Sequence, residues 1–409
     1  MNASALQRTP HLVAAISAVA ISGAMVFGAY RWARDVQEDK LHAVAPEFCD
    51  AKLHGVALIR EAFSRPDTLV FFGSSELIPD VPMKGVEFFS EAPTGFSVFP
   101  VGKAGTTALS VLQKLGGAGE TLKGKKLVIS LSPSFFQTEQ VDAKYFAGNS
   151  SKLQTKEMLW DDSWSGDLRS SIARELLLFP KTYEDDWLLE FTLRRMARWR
   201  WWDRFVLGCV SPLAAFDRMV GRLQDHAEAA IALLEAPREG NAPEGRRLKL
   251  NWDDLFRRAE THSKALAARS SRARVGISKP RGSGDRLFLK KLTGAQEWRD
   301  FELVLRLVQE AGAKPLIISM PLHADVLEQQ GVSEGAMQAY GNQLKALTAK
   351  FKAPLVYFQS HEKDPVFFVD QFDHIGAKGW CYYNKVMDDF YHDRLNSETF
   401  ASSVANPAP

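Results

Sequence analysis

The chain has 409 residues, enough for one large domain or two ordinary ones, and its 45% hydrophobic and 24% charged content is typical of a globular protein with a buried core. A net charge of +2 excludes the strongly basic field of a typical nucleic-acid binder. The three cysteines, Cys49, Cys209 and Cys381, lie far apart with no CxxC pair, which excludes a disulfide framework and a cysteine-rich zinc site.

The first element along the chain is an apolar segment at residues 12–30 that contains no charged side chain. At about 1.5 Å per residue, a helix of this length crosses the roughly 30 Å hydrocarbon layer of a bilayer. A cleaved signal peptide is the alternative, but its apolar region would be shorter, and residues 31–34 form a poor cleavage site. We therefore predict a membrane anchor over residues 1–34. Arginines flank it on both sides, so the positive-inside rule does not decide its orientation.

Residues 35–396 read as one domain that begins with a linker and a helix. Short apolar runs alternate with helical patterns in this region, which predicts an α/β fold with a parallel sheet and helices on both faces. The predicted strands are residues 68–72, 96–101, 126–131, 315–319 and 354–358, and the predicted helices are residues 46–63, 106–115, 298–311, 334–350 and 378–393. Ligands of such sheets bind at the carboxyl ends of the strands, so residues that directly follow a strand are candidates for a site.

Residues 150–275 interrupt the alternation and predict a helical insertion between the third and fourth strands. Within it, residues 193–207 mix arginine and tryptophan densely, a composition that favours a membrane–water interface. We expect a protruding hairpin that touches lipid or a membrane partner; a partly buried helix with an arginine-rich outer face is the alternative. The small and polar residues 397–409 are predicted to be a disordered tail.

A candidate nucleophile follows the first strand, in the sequence Gly73-Ser74-Ser75-Glu76-Leu77. Either Ser74 or Ser75 is a possible nucleophile, and an ordinary strand-ending loop with a serine cap is the alternative. A serine needs a neighbouring base, and His374 is the candidate because it lies between the fifth strand and the last helix. Asp370 and Asp373 both compete to orient its imidazole.

Two further loops lie at the same predicted edge of the sheet. Gly105 belongs to the loop after the second strand, where glycines let backbone amides approach a ligand, and Ser134 belongs to the loop after the third. His323 follows the fourth strand, and we expect it to be a loop residue with no role; a residue of a substrate pocket is the alternative. The sequence contains no metal-ligand cluster, P-loop or complete GxGxxG, so we predict neither a metal nor a nucleotide cofactor.

These motifs resemble those of the SGNH hydrolase superfamily, in their order along the chain. In that comparison Ser75 takes the position of the nucleophile, Gly105 that of the second-block glycine and Ser134 that of the oxyanion asparagine. His374 takes the position of the base, but Gln371 stands where the superfamily usually has the aspartate.

Within the superfamily, nearly the whole chain resembles the DltD family of D-alanyl-lipoteichoic acid biosynthesis. The matching sequences include Phe-Gly-Ser-Ser-Glu-Leu at residues 72–77, Ser-Leu-Ser-Pro-Ser-Phe-Phe at 130–136, Asn-Trp-Asp-Asp-Leu at 251–255 and His-Ile-Gly-Ala-Lys-Gly-Trp at 374–380.

The resemblance implies D-alanyl transfer to an anionic envelope polymer such as teichoic acid, by a single-pass protein of the cytoplasmic membrane whose domain is extracytoplasmic. The implied partners are a multipass membrane O-acyltransferase and a carrier protein that holds D-alanine as a thioester. The implied intermediate is an ester of Ser75, with His374 as base, and with the N–H groups of Ser75 and Gly105 and the Ser134 hydroxyl around the oxyanion. An esterase or thioesterase of the same fold and a non-catalytic adaptor for the acyltransferase are the alternatives.

Overall fold

The computed structural model of the protein describes residues 8–44, 54–236, 247–269, 279–370 and 374–395. Its sheet has five parallel strands in the order β2-β1-β3-β4-β5, which confirms the predicted parallel α/β fold. The strands are β1 (Thr68–Phe72), β2 (Ser97–Val101), β3 (Lys126–Leu131), β4 (Lys314–Ser319) and β5 (Leu355–Tyr357). The bounds of β1 and β3 match the prediction residue for residue, and those of the other strands differ by one residue at one or both ends.

Helices connect the strands and cover both faces of the sheet. They are α1 (Arg8–Val44), α2 (Val56–Ser64), α3 (Gly85–Glu91), α4 (Ala108–Ala118), α5 (Ala143–Asn149), α6 (Lys152–Leu159), α7 (Gly166–Leu176), α8 (Trp187–Arg198), α9 (Trp201–Glu235), α10 (Trp252–Arg269), α11 (Asp285–Gly294), α12 (Glu297–Ala311), α13 (Ala324–Gln330), α14 (Glu334–Lys350) and α15 (Ala377–Tyr391). The predicted helix at 46–63 begins at Val56 in the part of the chain that the structure describes.

The two faces of the sheet pack against different sets of helices, because successive side chains of a strand point in opposite directions. On one face, Val70 and Phe72 of β1 join a core with α2, α4, α12 and helices α6 to α9 of the insertion. On the other face, Leu69 and Phe71 join a second core with α3, α10 and α15. Burial on both faces accounts for the continuous apolar runs in the sequence.

The predicted insertion between β3 and β4 is helical, as expected, over the residues described there. The arginine- and tryptophan-rich stretch forms a hairpin in which α8 ends at Arg198 and α9 begins at Trp201. Trp199 adopts a left-handed conformation at the turn (φ 49°), and Arg195 of α8 forms an ion pair with Asp203 of α9 at 3.1 Å. The two helices are therefore joined both by the chain and by a charge pair.

Helix α1 contains the stretch His11–Leu41, whose mean hydropathy reaches 2.1 and whose length suffices to cross a membrane. This fits a single-pass membrane protein. The helix continues through Val44, so the predicted anchor boundary after residue 34 falls inside it and residues 35–44 are helical where we expected a linker. The reason is packing: Ala33, Gln37 and Leu41 are buried, and α1 packs against α9. The predicted tail at 397–409 lies outside the described residues.

Candidate active site at the carboxyl edge of the sheet

The loop after β1 holds the two candidate serines in different surroundings. Ser74 is buried, and its hydroxyl donates to the carbonyl of Lys103 at 3.5 Å. Ser75 begins a single 3₁₀ turn, Ser75–Leu77, and its half-buried side chain lines an open cleft. Only the Ser75 hydroxyl is therefore presented to the cleft at this loop.

Glu76, directly after the candidate nucleophile, lies fully buried beneath the loop. Its carboxylate accepts a hydrogen bond from the backbone N–H of Ser74 at 2.9 Å. Burial raises the pKa of the Glu76 carboxyl, and hydrogen bonds from Ser130 and the backbone together with the charge of His374 partly offset that rise. The sequence did not predict a role for Glu76, because a glutamate in a short loop is ordinarily expected to face solvent.

His374 is held by backbone pairing between the segments on either side of it. The N–H of Val369 donates to the His374 carbonyl at 2.9 Å, and the N–H of Gly376 donates to the carbonyl of Phe367 at 2.8 Å. This pairing brings Asp370 next to the ring, where Asp370 Oδ2 lies 2.5 Å from His374 Nδ1. With Asp370 ionised, Nδ1–H is the donor, which leaves Nε2 as the basic nitrogen. Asp373 and Gln371 lie outside the described residues.

The loop after β2 approaches the β1 loop so closely that it needs glycine. Gly102 has φ +148°, and a Cβ there would lie 1.9 Å from the carbonyl oxygen of Gly73. Gly105 has φ +76°, and a Cβ there would meet the Tyr145 ring at 2.7 Å. Asn149 of α5 supports this loop, since its amide donates to the Ala104 carbonyl at 3.1 Å. The backbone at Gly105 thus reaches the cleft because it carries no side chain.

The loop after β3 supplies hydroxyl groups. The hydroxyl oxygens of Ser132 and Ser134 lie 2.6 Å apart; Ser132 is buried, Ser134 is exposed, and both line the cleft. Either hydroxyl is placed to donate into the cleft while the other bonds to it. Ser134, which the resemblance aligns with the superfamily's asparagine, therefore reaches the cleft with a shorter side chain.

One cleft of about 360 Å³ joins these groups. Ser75, Gly105, Ser134 and His374 all line it, whereas Ser74 does not, and Asp370 adjoins it through the His374 ring. His323 also lines the cleft, as in the substrate-pocket alternative, and packs on Phe368 with ring centroids 4.5 Å apart. Across the described ranges, no group of three or more His, Cys, Asp or Glu side chains is arranged to hold a metal ion.

The parallel α/β sheet carries a serine after its first strand and a histidine–aspartate pair before its last helix, an arrangement similar to that of the SGNH hydrolase superfamily. The family model for "DltD protein" matches residues 45–392. The chain therefore belongs to the DltD family.

Two curated relatives are similar over most of their length. Protein DltD of Bacillus subtilis is 26% identical over 357 residues, which cover 82% of this chain and 86% of the relative. Protein DltD of Staphylococcus aureus is 21% identical over 347 residues, which cover 81% of this chain and 83% of the relative.

Proposed function

We propose that the protein is an acyltransferase that moves a D-alanyl group onto an anionic cell-envelope polymer such as teichoic acid through an ester of Ser75. Membership of the DltD family supports the D-alanylation role. The single observation that carries the chemistry is the cleft shared by Ser75 and His374, with Asp370 Oδ2 next to His374 Nδ1. A serine, a histidine and a carboxylate in this order activate a hydroxyl for acyl transfer.

The first half-reaction loads the enzyme. Ser75 Oγ attacks the carbonyl carbon of the D-alanyl donor while His374 Nε2 takes the Oγ proton, and Asp370 stabilises the imidazolium that forms. The bond to the donor oxygen or sulfur then breaks, and the leaving group receives the proton from His374. The backbone N–H groups of Ser75 and Gly105, with the Ser134 hydroxyl, are the proposed donors to the oxyanion.

The second half-reaction transfers the group. A hydroxyl of the polymer gives its proton to His374 Nε2 and attacks the acyl carbon, and Ser75 leaves with that proton. The cleft of about 360 Å³ has room for about twelve water-sized groups, which suffices for a D-alanyl ester and one end of an acceptor unit. We propose that the D-alanyl donor comes from a carrier protein. A multipass membrane O-acyltransferase is the proposed partner that delivers it to Ser75.

The function is tested by the D-alanine ester content of the envelope in cells that carry wild type, Ser75→Ala, His374→Ala or Ser74→Ala at matched protein levels. We expect ester loss in the first two variants only, with Ser74→Ala as the matched control from the same loop. Wild-type ester levels in all three variants would contradict catalysis through Ser75 and favour the non-catalytic adaptor role. Levels above wild type in Ser75→Ala would instead identify an esterase that removes these groups.

We also propose that residues 35–396 form the domain outside the cytoplasmic membrane, with α1 as the single span. Ala346 is exposed on α14, so in a Cys49→Ser, Cys209→Ser, Ala346→Cys variant a membrane-impermeant maleimide applied to intact cells or spheroplasts reports the side. Burial raises the pKa of the buried Cys381 thiol to about 12, which keeps that thiol unreactive. Labelling before lysis supports the extracytoplasmic assignment, and labelling only after lysis contradicts it.

A further inference from the structure

Helix α9 exposes an unusually apolar surface along its first five turns. Six large side chains on it are exposed: Trp201, Trp202, Phe205, Leu213, Phe216 and Met219. Trp201 is 71% exposed and Phe216 60%. We call these six residues the apolar face of α9.

Helical geometry places these residues on one side of α9. At 3.6 residues per turn, Trp201 and Met219 lie five turns apart and point the same way, and Phe205 and Phe216 lie within about 60° of them. The buried residues Leu207 and Ala214 lie on the opposite side, toward the domain. A surface helix ordinarily turns polar residues outward, so a contiguous apolar outer face indicates a surface that lipid or another molecule covers.

Cationic side chains surround the start of this face. Arg194, Arg198, Arg200 and Arg204 are all exposed around the hairpin between α8 and α9. Aromatic rings beside arginines match the headgroup region of a bilayer, where the rings enter the acyl boundary and the guanidinium groups meet phosphate.

The same helix is fixed to α1 at the end of its apolar span. The side-chain amide of Gln37 donates to the His226 carbonyl at 3.0 Å, and His226 Nδ1 lies 2.9 Å from Gln37 Oε1. The Tyr30 ring packs edge-on against the His226 ring with centroids 4.9 Å apart. Helix α9 is therefore bound to α1 next to the predicted exit of α1 from the bilayer.

We propose that the apolar face of α9 lies in the headgroup–acyl boundary of the bilayer that α1 crosses, as a second membrane contact of the domain. Residues 205–216 carry no charge, but a helix of that length measures about 18 Å, too short for the roughly 30 Å hydrocarbon layer. The face therefore lies in the surface of the bilayer and does not span it. The arginines at its start favour anionic phospholipid.

The test uses Cys209, which is exposed between Phe205 and Leu213 on the same helix. The full-length Cys49→Ser protein is labelled there with a small nitroxide and reconstituted in vesicles of phosphatidylethanolamine and phosphatidylglycerol. Collision rates with oxygen, which concentrates in lipid, are compared with those of a water-soluble nickel chelate. The matched control carries Cys49→Ser, Cys209→Ser and Ala346→Cys, which places the label on the exposed surface of α14.

We expect the Cys209 label to collide more often with oxygen than with the nickel chelate, and the Ala346→Cys label to do the reverse. The excess of oxygen collisions at the Cys209 label should fall when phosphatidylcholine replaces the anionic lipid. A nickel-accessible Cys209 label in vesicles overturns the proposal. If adding the multipass acyltransferase then shields the label, the face binds a protein; if dipolar broadening between labels appears, it binds a second copy. These collision measurements do not depend on acyl transfer, so their failure would leave the proposed function untouched.

Discussion

Replacing Asp370 by asparagine tests which carboxylate orients the candidate base. In the structure Asp370 Oδ2 lies 2.5 Å from His374 Nδ1. The change preserves the shape of the side chain but removes its charge. The amide oxygen can still accept from Nδ1–H, so Nε2 stays the basic nitrogen, but the charge that stabilises the imidazolium is lost.

The expected loss of Ser75 activation follows from the strength of the Asp370–His374 hydrogen bond and from its exposure to solvent. A hydrogen bond to a charged group contributes about 1.5–3 kcal/mol. The side chains of His374 and Asp370 are 27% and 35% exposed, so solvent screening places this bond near the lower end, at about 1.5–2 kcal/mol. At about 1.4 kcal/mol per factor of ten, the activation of Ser75 should fall by roughly 10- to 30-fold.

The rate at which a fluorophosphonate probe modifies Ser75 measures that activation directly, because the probe reacts only with an activated serine. Ser75→Ala sets the background, and Asp373→Asn is the matched control for a neighbouring carboxylate. We expect Asp370→Asn to react 10- to 30-fold more slowly than wild type and Asp373→Asn to react at the wild-type rate. The opposite order would refute the assignment of Asp370.

Three further changes test the framework of the site. Glu76→Ala leaves a buried backbone N–H without its acceptor and should lower the free energy of unfolding by about 1–3 kcal/mol in urea titrations, whereas Glu76→Gln should keep most of it. Gly102→Ala places a Cβ against the Gly73 carbonyl and should cost about 3 kcal/mol or more in thermal unfolding, while Gly124→Ala, also at positive φ but with open space, should cost less. Burial raises the pKa of Glu297 from 4.5 to about 7, so its contribution to stability is present below about pH 4.5 and is lost as pH rises through about 7. Between pH 5 and pH 8 the free energy of unfolding in urea should therefore fall by about 2.5 kcal/mol more in wild type than in Glu297→Gln.

The sheet could be predicted from the sequence because its strands are buried on both faces. In β1 every residue from Thr68 to Phe72 is buried, so the apolar run and the strand coincide. Strand β5 is shorter than predicted, because it pairs with β4 only from Leu355 to Tyr357. The order of the loops around the carboxyl edge followed from the same pattern, since parallel strands end on one side.

The site could be predicted only as far as its residue types. The residue types alone did not separate Ser74 from Ser75, although the motif resemblance favoured Ser75. The difference depends on backbone angles: Ser74 turns its hydroxyl toward Lys103 while Ser75 lines the cleft. The continuation of α1 beyond residue 34 was not predicted, because the charged residues that follow are typical of a linker. Gln37 is buried there only because α9, far away in sequence, supplies its hydrogen-bond partner.

The continuity of α1 restricts where the cleft can stand relative to the bilayer. A flexible linker of ten residues would have an average end-to-end distance of roughly 17 Å, since this distance grows as about 5–6 Å times the square root of the number of residues. The distance between the domain and the membrane span would then vary widely. Residues 31–41 instead form a helix that rises about 15 Å and is bonded to α9 through Gln37. The height of Ser75 above the membrane is then a property of the fold. Under the proposed function, the donor and the acceptor polymer must both come to that fixed height, which a membrane-embedded acyltransferase partner is suited to arrange.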